Sequence, residues 1–411
     1  MPEAPLVERD RAPEAPPDAG ALPRSLLYAT SARIGGTGLD LTAIEALRGS
    51  WRQGILGKAI GFANNQTEIP SEKIQSLRFH PVRLLSGLGS ERYYGAKKRY
   101  ADWISSRAVL TGRHDCFHGW SGDCLRTLIA ARQRPVATVL DIPTWHRNKG
   151  KSKRFETKAE AELRHRKGWR AVLDRLPPSR QRVLLEYALA DVITVQSTYS
   201  AETFLAAGVP AEKIVYVARG ADVTRFTPAD RPPEKFRAIF AGALIRRKGV
   251  HHILRAWHTL GLRDAELLLV GAVHPEIEPA LREFSSPTVK VVGFSRDLPA
   301  LFRTASVFVF PSECEGWAKV TFEAAAAGLP MIGTRESGDG VIDGVTGYLV
   351  PANDPDALAG ALQKAHADPD ALATMGRAAR RRVVSHYTWD HYRLRLLHAY
   401  ALAMQRRSER D

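Results

Sequence analysis

Short apolar runs alternate with stretches of helical periodicity along most of this chain. The runs at 26–30, 136–140, 191–196, 238–242, 267–271 and 289–293, with Val307–Phe310 and Met331–Gly333, are rich in β-branched and aromatic residues, and each reads as a strand. Most are nearly continuous apolar runs rather than alternating ones, as in a parallel sheet covered on both faces. Helical spacing marks 39–47, 124–132, 158–176, 180–189, 354–367, 369–386 and 391–404. Pieces at 108–110 and 116–118 read as strands or strand ends, and 51–98 is mixed. Residues 1–23 are rich in Pro, Ala and acid with few large apolar side chains, and are expected to form a disordered tail. Strand and helix in alternation predict an α/β protein with parallel sheets.

Length adds a domain count, and charge adds a partner class. The 411 residues are enough for two domains with substantial cores. Fifty-nine Lys and Arg against 44 Asp and Glu give a net charge of +15, which favours polyanions, phosphorylated substrates or anionic surfaces. The charge is not gathered into a nucleic-acid reading element, so no nucleic-acid partner is expected. Cys116, Cys124 and Cys314 lack metal-ligand spacing and are odd in number, which argues against a disulfide framework. No apolar run reaches the ~20 residues that span a bilayer, and the amino terminus lacks a signal peptide's apolar stretch, so a cytoplasmic location is expected.

The chain is organised around residues 307–351, which read VFVFPSECEGWAKVTFEAAAAGLPMIGTRESGDGVIDGVTGYLVP. Strand, loop, helix and strand follow one another there, and in a parallel sheet ligands sit where strands end and helices begin. Glu315 in the loop and Glu323 in the helix frame that point. Upstream, Gly242 closes a strand and Arg247-Lys248-Gly249 precedes a helix, a good position for basic groups to clamp a diphosphate. Near the amino terminus Gly35, Gly36 and Gly38 make a glycine-rich turn between a strand and a helix, a common feature that is weak evidence alone.

The segment PSECEGW before an EAAAAGLP helix, followed by ESGDGVIDGVTGYLVP, resembles the E-x7-E region of retaining glycosyltransferases of family 4, which have the GT-B fold. ADVITVQS at 190–197, Gly208-Val209-Pro210 and Gly220-Ala221-Asp222 are similar to the family's last amino-terminal unit and hinge. The resemblance covers roughly 190–405 with specific motifs and 25–189 only loosely.

The resemblance implies two Rossmann-like domains with a donor crevice between them and a carboxyl-terminal helix that crosses back to the first domain. Expected boundaries are a tail at 1–23, an acceptor-side domain at 24–225, a nucleotide-sugar domain at 226–385 and the returning helix at 386–411. By carry-over Glu315 would hold donor sugar hydroxyls and Glu323 the ribose, with Gly35, Gly36, Gly242, Gly316, Trp317 and Ala318 offering backbone to the donor. Lys248 and Arg247 would stabilise the leaving diphosphate without a metal. Two departures stand out. Ala243 occupies the place of the family's arginine, and Trp120 that of its second histidine in the 114–120 segment. That leaves His118 as an active-site candidate beside the reading of a satisfied core histidine; His146 is a second residue able to face the crevice. Phe294 is expected as a neighbour of the nucleotide base.

The implied function is transfer of a sugar, with retention, from a nucleotide-diphospho sugar to a hydroxyl of a sugar or lipid-linked acceptor, in cell-surface polysaccharide, glycolipid or glycoconjugate synthesis. A nucleotide-sugar epimerase or hydrolase on the same scaffold, and a non-catalytic nucleotide-sugar-binding protein, stay open as alternatives. A glycosidase is disfavoured by the basic diphosphate-type loop. Arg92, Lys97, Lys98 and Arg99 among Tyr93, Tyr94, Tyr100 and Trp103, with the basic run at 147–154, make an anionic or membrane-borne acceptor and peripheral contact with an anionic membrane a further expectation, against the plainer reading of solvated faces.

Overall fold

The computed structural model describes residues 13–78, 81–82, 90–147 and 180–410. They fall into two compact units: 13–196, 200–218 and 392–410 form one, and Ser197–Tyr199 with Arg219–His391 form the other. The expected boundary at 225/226 lies a few residues later in sequence than the observed one.

In the amino-terminal unit the strands are β1 (Leu26–Ala29), β2 (Arg33–Ile34), β3 (Leu56–Gly61), β4 (Ala63–Asn64), β5 (Ile74–Ser76), β6 (Cys116–Trp120), β7 (Ala137–Asp141), β8 (Val192–Val195) and β9 (Ile214–Tyr216). Seven of them make one parallel sheet in the order β5-β3-β1-β6-β7-β8-β9, and β2 pairs separately with β4. β1, β6, β7 and β8 are buried at every position, because helices cover both sheet faces. The helix Trp389–Arg410 begins in one unit and, from Tyr392, packs in the other, so the chain does return to its first sheet. It is anchored there by Arg393 on Glu45 and by Arg410 on Asp191 at 2.8 Å. Gly49 makes room for it: a Cβ at that position would stand 3.1 Å from the Arg393 side chain.

In the carboxyl-terminal unit β10 (Arg237–Ala241), β11 (Glu266–Val270), β12 (Val289–Gly293), β13 (Val307–Phe310), β14 (Met331–Gly333) and β15 (Gly347–Leu349) form a parallel sheet in the order β12-β11-β10-β13-β14-β15. β10 and β13 are neighbours at its centre, with Ala238 opposite Val307 and Ile239 opposite Phe308. Phe240 and Phe310 stack across them with ring centroids 5.5 Å apart. Each such buried aromatic contributes roughly 1.5–3 kcal/mol by leaving water.

Some elements differ from expectation. Residues 108–110 end the helix Ser90–Leu110 rather than forming a strand, because their apolar positions continue the stripe of Ala101 and Ser105 that faces the core. The helix expected at 158–176 and the basic run from 148 to 154 lie outside the described residues. Residues 13–23, expected in a structureless tail, carry a 3-10 turn at Ala19–Ala21 and the buried Leu22. A single large apolar side chain is enough to dock a short segment that composition alone leaves unassigned.

Candidate functional site

The loops after β10 and β13 meet because β10 and β13 are adjacent and parallel, so both loops leave the same edge of the sheet. Past β10, Gly242 adopts φ +148°, and a 3-10 turn at Arg246–Lys248 leads through Gly249 into the helix Val250–Leu260. Gly249 has φ +72°, and a Cβ there would fall 2.3 Å from the carbonyl oxygen of Pro311 in the second loop. Only glycine permits that approach. The two loops are joined by the Glu313 N–H, which donates to the Arg247 carbonyl at 2.9 Å, and the Glu315 N–H ties the second loop to the turn after the strand Met331–Gly333 through the Glu336 carbonyl at 2.9 Å.

Glu315 is brought to both cations. Its Oε1 accepts from Arg247 Nη1 at 3.1 Å, lies 3.6 Å from Lys248 Nζ, and is within 3.3 Å of Ser312 Oγ. Arg247 also donates to the Cys314 carbonyl. Lys248 Nζ sits 5.1 Å over the Phe310 ring, and a Cβ on Gly242 would come within 3.1 Å of it, so the glycine keeps space open beside the ammonium. Ala243 is exposed on the same turn.

Glu323 lies in the helix Lys319–Ala326, is 6% exposed, and is bonded to Lys319 one turn earlier. Lys319 is a contact the sequence reading passed over, although an i, i+4 Lys–Glu pair is visible in the text. The helix start at Ala318 has no side-chain cap, leaving its first N–H groups and its dipole for a ligand. Gly316, Trp317 and Ala318 precede it and are buried; the Trp317 ring stacks on Phe322 at 3.7 Å, and among the described residues its indole N–H has no partner. Phe294 follows β12 and is 78% exposed.

Sequence spacing shows no metal cluster, yet the fold brings His251, His252 and Glu313 together, with candidate ligand atoms within 4.8 Å of one another. Burial and the neighbouring charges of His252 and Arg246 push His251 down to about 4, and His252 Nε2 is 3.1 Å from Asn353 Oδ1.

The amino-terminal unit holds a separate cavity of about 990 Å³. Arg33 and Asp40, on either side of the Gly35-Gly36 turn, contribute to its wall, with Tyr94, Lys97, Lys98 and Trp120. Gly35 and Gly36 have φ +89° and +156°, and a Cβ on Gly36 would press on Asp40 at 3.0 Å. The glycine turn thus shapes this wall. Trp120, which stands where the family pattern has a histidine, donates its indole N–H to Tyr28 Oη at 2.9 Å.

His118 is elsewhere. It is 1% exposed within β6, its Nδ1 is 2.9 Å from Tyr400 Oη, and burial pushes its pKa down to about 4. The side chain belongs to the core and does not line the cavity. His146 is likewise buried, packed edge-on to Phe204. The basic and aromatic residues at 93–103 do not form one outward face. Tyr93, Tyr94, Lys97 and Lys98 turn to the cavity, Lys98 is neutralised by Asp123 at 2.6 Å, Tyr100 packs on the core, and Trp103 is exposed. The helical stripe 94, 97, 98, 101 was the available signal for that inward face.

Two parallel-sheet Rossmann-like units with a returning final helix define the GT-B class. The chain superposes on sucrose-phosphate synthase from Thermosynechococcus elongatus with a TM-score of 0.65 at 21% identity, covering 91% of this chain and 97% of that one. It superposes on Anabaena HepE in complex with UDP with a TM-score of 0.65 at 17% identity, covering 90% and 98%. Residues 235–368 match the family model for Glycosyl transferases group 1, so the carboxyl-terminal unit carries a domain of that family. The GDP-mannose-dependent alpha-(1-6)-phosphatidylinositol monomannoside mannosyltransferase of Mycolicibacterium smegmatis is 31% identical over 252 residues, which are 55% of this chain and 65% of that relative. The match spans less than two thirds of that relative's length. None of the described helices is long and apolar enough to cross a membrane.

Proposed function

We propose that this protein is a glycosyltransferase that moves a sugar from a nucleotide-diphospho sugar to a hydroxyl acceptor, with retention at the anomeric carbon, in polysaccharide or glycolipid synthesis. The observation that carries the reading is the placement of Glu315 between Arg247 and Lys248 at the joined strand ends. Glycosyl transfer needs the leaving diphosphate's charge stabilised while an oxocarbenium-like centre forms. Lys248 and Arg247 supply preorganised positive charge for the first task, with no metal required. Glu315 offsets one of the two positive charges in the free protein and is shared between them. In the donor complex the diphosphate takes over that charge, and the carboxylate is released to accept from sugar hydroxyls. Glu323, buried beside the uncapped helix start, holds ribose hydroxyls.

The family domain and the names of relatives support the sugar-nucleotide part. The mycobacterial relative uses GDP-mannose and acts on a phosphatidylinositol mannoside, and a second relative, 30% identical over 229 residues, is the D-inositol 3-phosphate glycosyltransferase of Pseudarthrobacter chlorophenolicus. The test is a panel of UDP- and GDP-sugars incubated with the purified chain, read by thermal shift and by release of the nucleoside diphosphate. A ligand that binds only the folded state raises the melting temperature. One sugar nucleotide is expected to stabilise the protein and be turned over, with an α-configured product by NMR from an α-linked donor. Stabilisation by none of the panel would end the proposal, and an inverted product would remove the retaining part.

A further inference from the structure

The cavity of the amino-terminal unit carries four basic side chains, Arg33, Arg78, Lys97 and Lys98, against two acids, Asp40 and Asp123. Both acids are already engaged. Asp123 pairs with Lys98 at 2.6 Å, and Asp40 Oδ1 accepts from the Arg33 backbone N–H at 3.0 Å. Among the described residues neither the Arg33 guanidinium nor the Lys97 ammonium has a carboxylate within ion-pair reach. Lys97 is half-buried and rests over the Phe62 ring at 4.3 Å, a contact that partly replaces a missing anion. Burial first, and then the charge of Arg33, lower its pKa, so two cations repel one another across one wall. A site of this volume is large enough for a sugar with a charged substituent. Tyr93, Tyr94 and Trp120 add aromatic surface of the kind that packs on sugar rings.

We infer that this cavity takes an acceptor bearing a phosphate group, bound between the Arg33 guanidinium and the Lys97 ammonium. The inference rests on the glycosyltransferase reading for the word acceptor, but the phosphate site itself can be tested without turnover. A guanidinium and an ammonium facing one cavity match a phosphate's several acceptor oxygens, and the incoming anion relieves their repulsion. The phosphate is borne either by a free sugar phosphate or by a phospholipid headgroup.

Calorimetric titration of the full chain with glucose 1-phosphate and with glucose reads the site directly. Glucose 1-phosphate is expected to bind at least roughly tenfold more tightly, in a salt-dependent way. Lys97→Met and Arg33→Gln should each remove most of that preference, and Lys97→Arg should keep it. Lys248→Ala should leave it intact, which separates this site from the donor loops, and Lys97→Met should bind UDP and GDP as the parent does. Sedimentation with phosphatidylinositol and phosphatidylcholine vesicles distinguishes the sources. Binding to the first alone, lost in Lys97→Met, assigns a lipid-borne phosphate; calorimetric binding without sedimentation assigns a free one. Equal affinity for glucose and glucose 1-phosphate, or a preference abolished by Lys248→Ala and untouched by Lys97→Met, overturns the inference. Loss of UDP and GDP binding in the parent protein would instead strike the donor reading and leave the cavity result standing.

Discussion

The donor loops of the carboxyl-terminal unit and the cavity wall of the amino-terminal unit are both rich in basic groups, but they handle charge differently. At the loops, Arg247 and Lys248 share Glu315, and Lys319 holds Glu323. At the cavity wall, Lys98 is paired while Lys97 rests on an aromatic ring. The first arrangement meets its cations largely with its own carboxylates and waits to exchange one of them for a diphosphate. The second is short of negative charge and waits for one from outside. That contrast predicts that substitutions in the two regions separate donor from acceptor behaviour.

The largest effect belongs to Lys248. Removing a preorganised charge from the leaving group costs about 2.7–4 kcal/mol in comparable sites, so Lys248→Ala should lower kcat/KM by a factor on the order of 100–1,000. Affinity for the nucleoside diphosphate should fall with it while affinity for the bare nucleoside barely changes. Equal weakening of all ligands would mean that the loop had lost its shape. Gly249→Ala tests that shape alone. Its φ of +72° and the 2.3 Å approach of a Cβ to the Pro311 carbonyl force the loops apart. A backbone strain of about 1–3 kcal/mol is expected, seen as a drop in melting temperature of several degrees together with weaker donor binding. An unchanged melting curve would show that the two loops are not held as tightly as Gly249 implies.

Glu323→Ala should act on donor KM with less effect on kcat, because the carboxylate is assigned to the ribose and not to the reacting centre. Losing a charged hydrogen bond costs about 1.5–3 kcal/mol, or roughly tenfold or more in KM. Folded protein with parental kinetics would remove Glu323 from the site.

These effects also trace what the amino-acid text can carry. The strand-loop-helix around Glu315 was readable because its turn residues, Pro311 and Gly316, and its charged residues sit in a short window next to apolar runs with a clear period. The joining of the two loops was readable only through the predicted parallel order of their strands. The cavity in the other unit was not. Its wall draws on Arg33, Lys97 and Trp120, from a turn, a helix and a strand end far apart in sequence, and no local spacing links them. The mixed 51–98 stretch hid β3 and β5, because β3 breaks its apolar run with Gly57 and Lys58. At His118 the text left two readings open: a motif register pointed to it as a site candidate, while its neighbours Cys116 and Phe117 argued for the core, and the side chain is buried in β6.

His118 gives a prediction on stability. Burial outweighs the upward pull of Asp141 and holds the folded pKa near 4, below the ordinary value of about 6.5. The folded state keeps the ring neutral, while the unfolded chain binds a proton below about 6.5. Stability therefore falls as pH drops from about 6.5 toward 4, by about 1–2 kcal/mol between pH 7 and 5. Urea unfolding at the two pH values should show that loss in the parent and a correspondingly smaller one in His118→Asn. Parallel pH slopes in parent and variant would place the proton uptake elsewhere.

The smallest effect is expected at the amino terminus, where composition and structure diverge. His398 Nε2 donates to the Ala15 carbonyl at 2.8 Å, an exposed contact that contributes about 0.5–1.5 kcal/mol at most. Leu22, 6% exposed, contributes more, about 1.5–3 kcal/mol from its buried side chain. A chain beginning at Leu22 should thus unfold within a few degrees of the full one and keep its donor affinity, whereas a chain beginning at Arg24 should lose measurably more stability with the same donor affinity. The comparison between the two truncations isolates Leu22. If they melt together, well below the full chain, the 3-10 turn at Ala19–Ala21 and the Ala15 contact matter more than the buried leucine, and residues 13–21 hold the unit through their backbone.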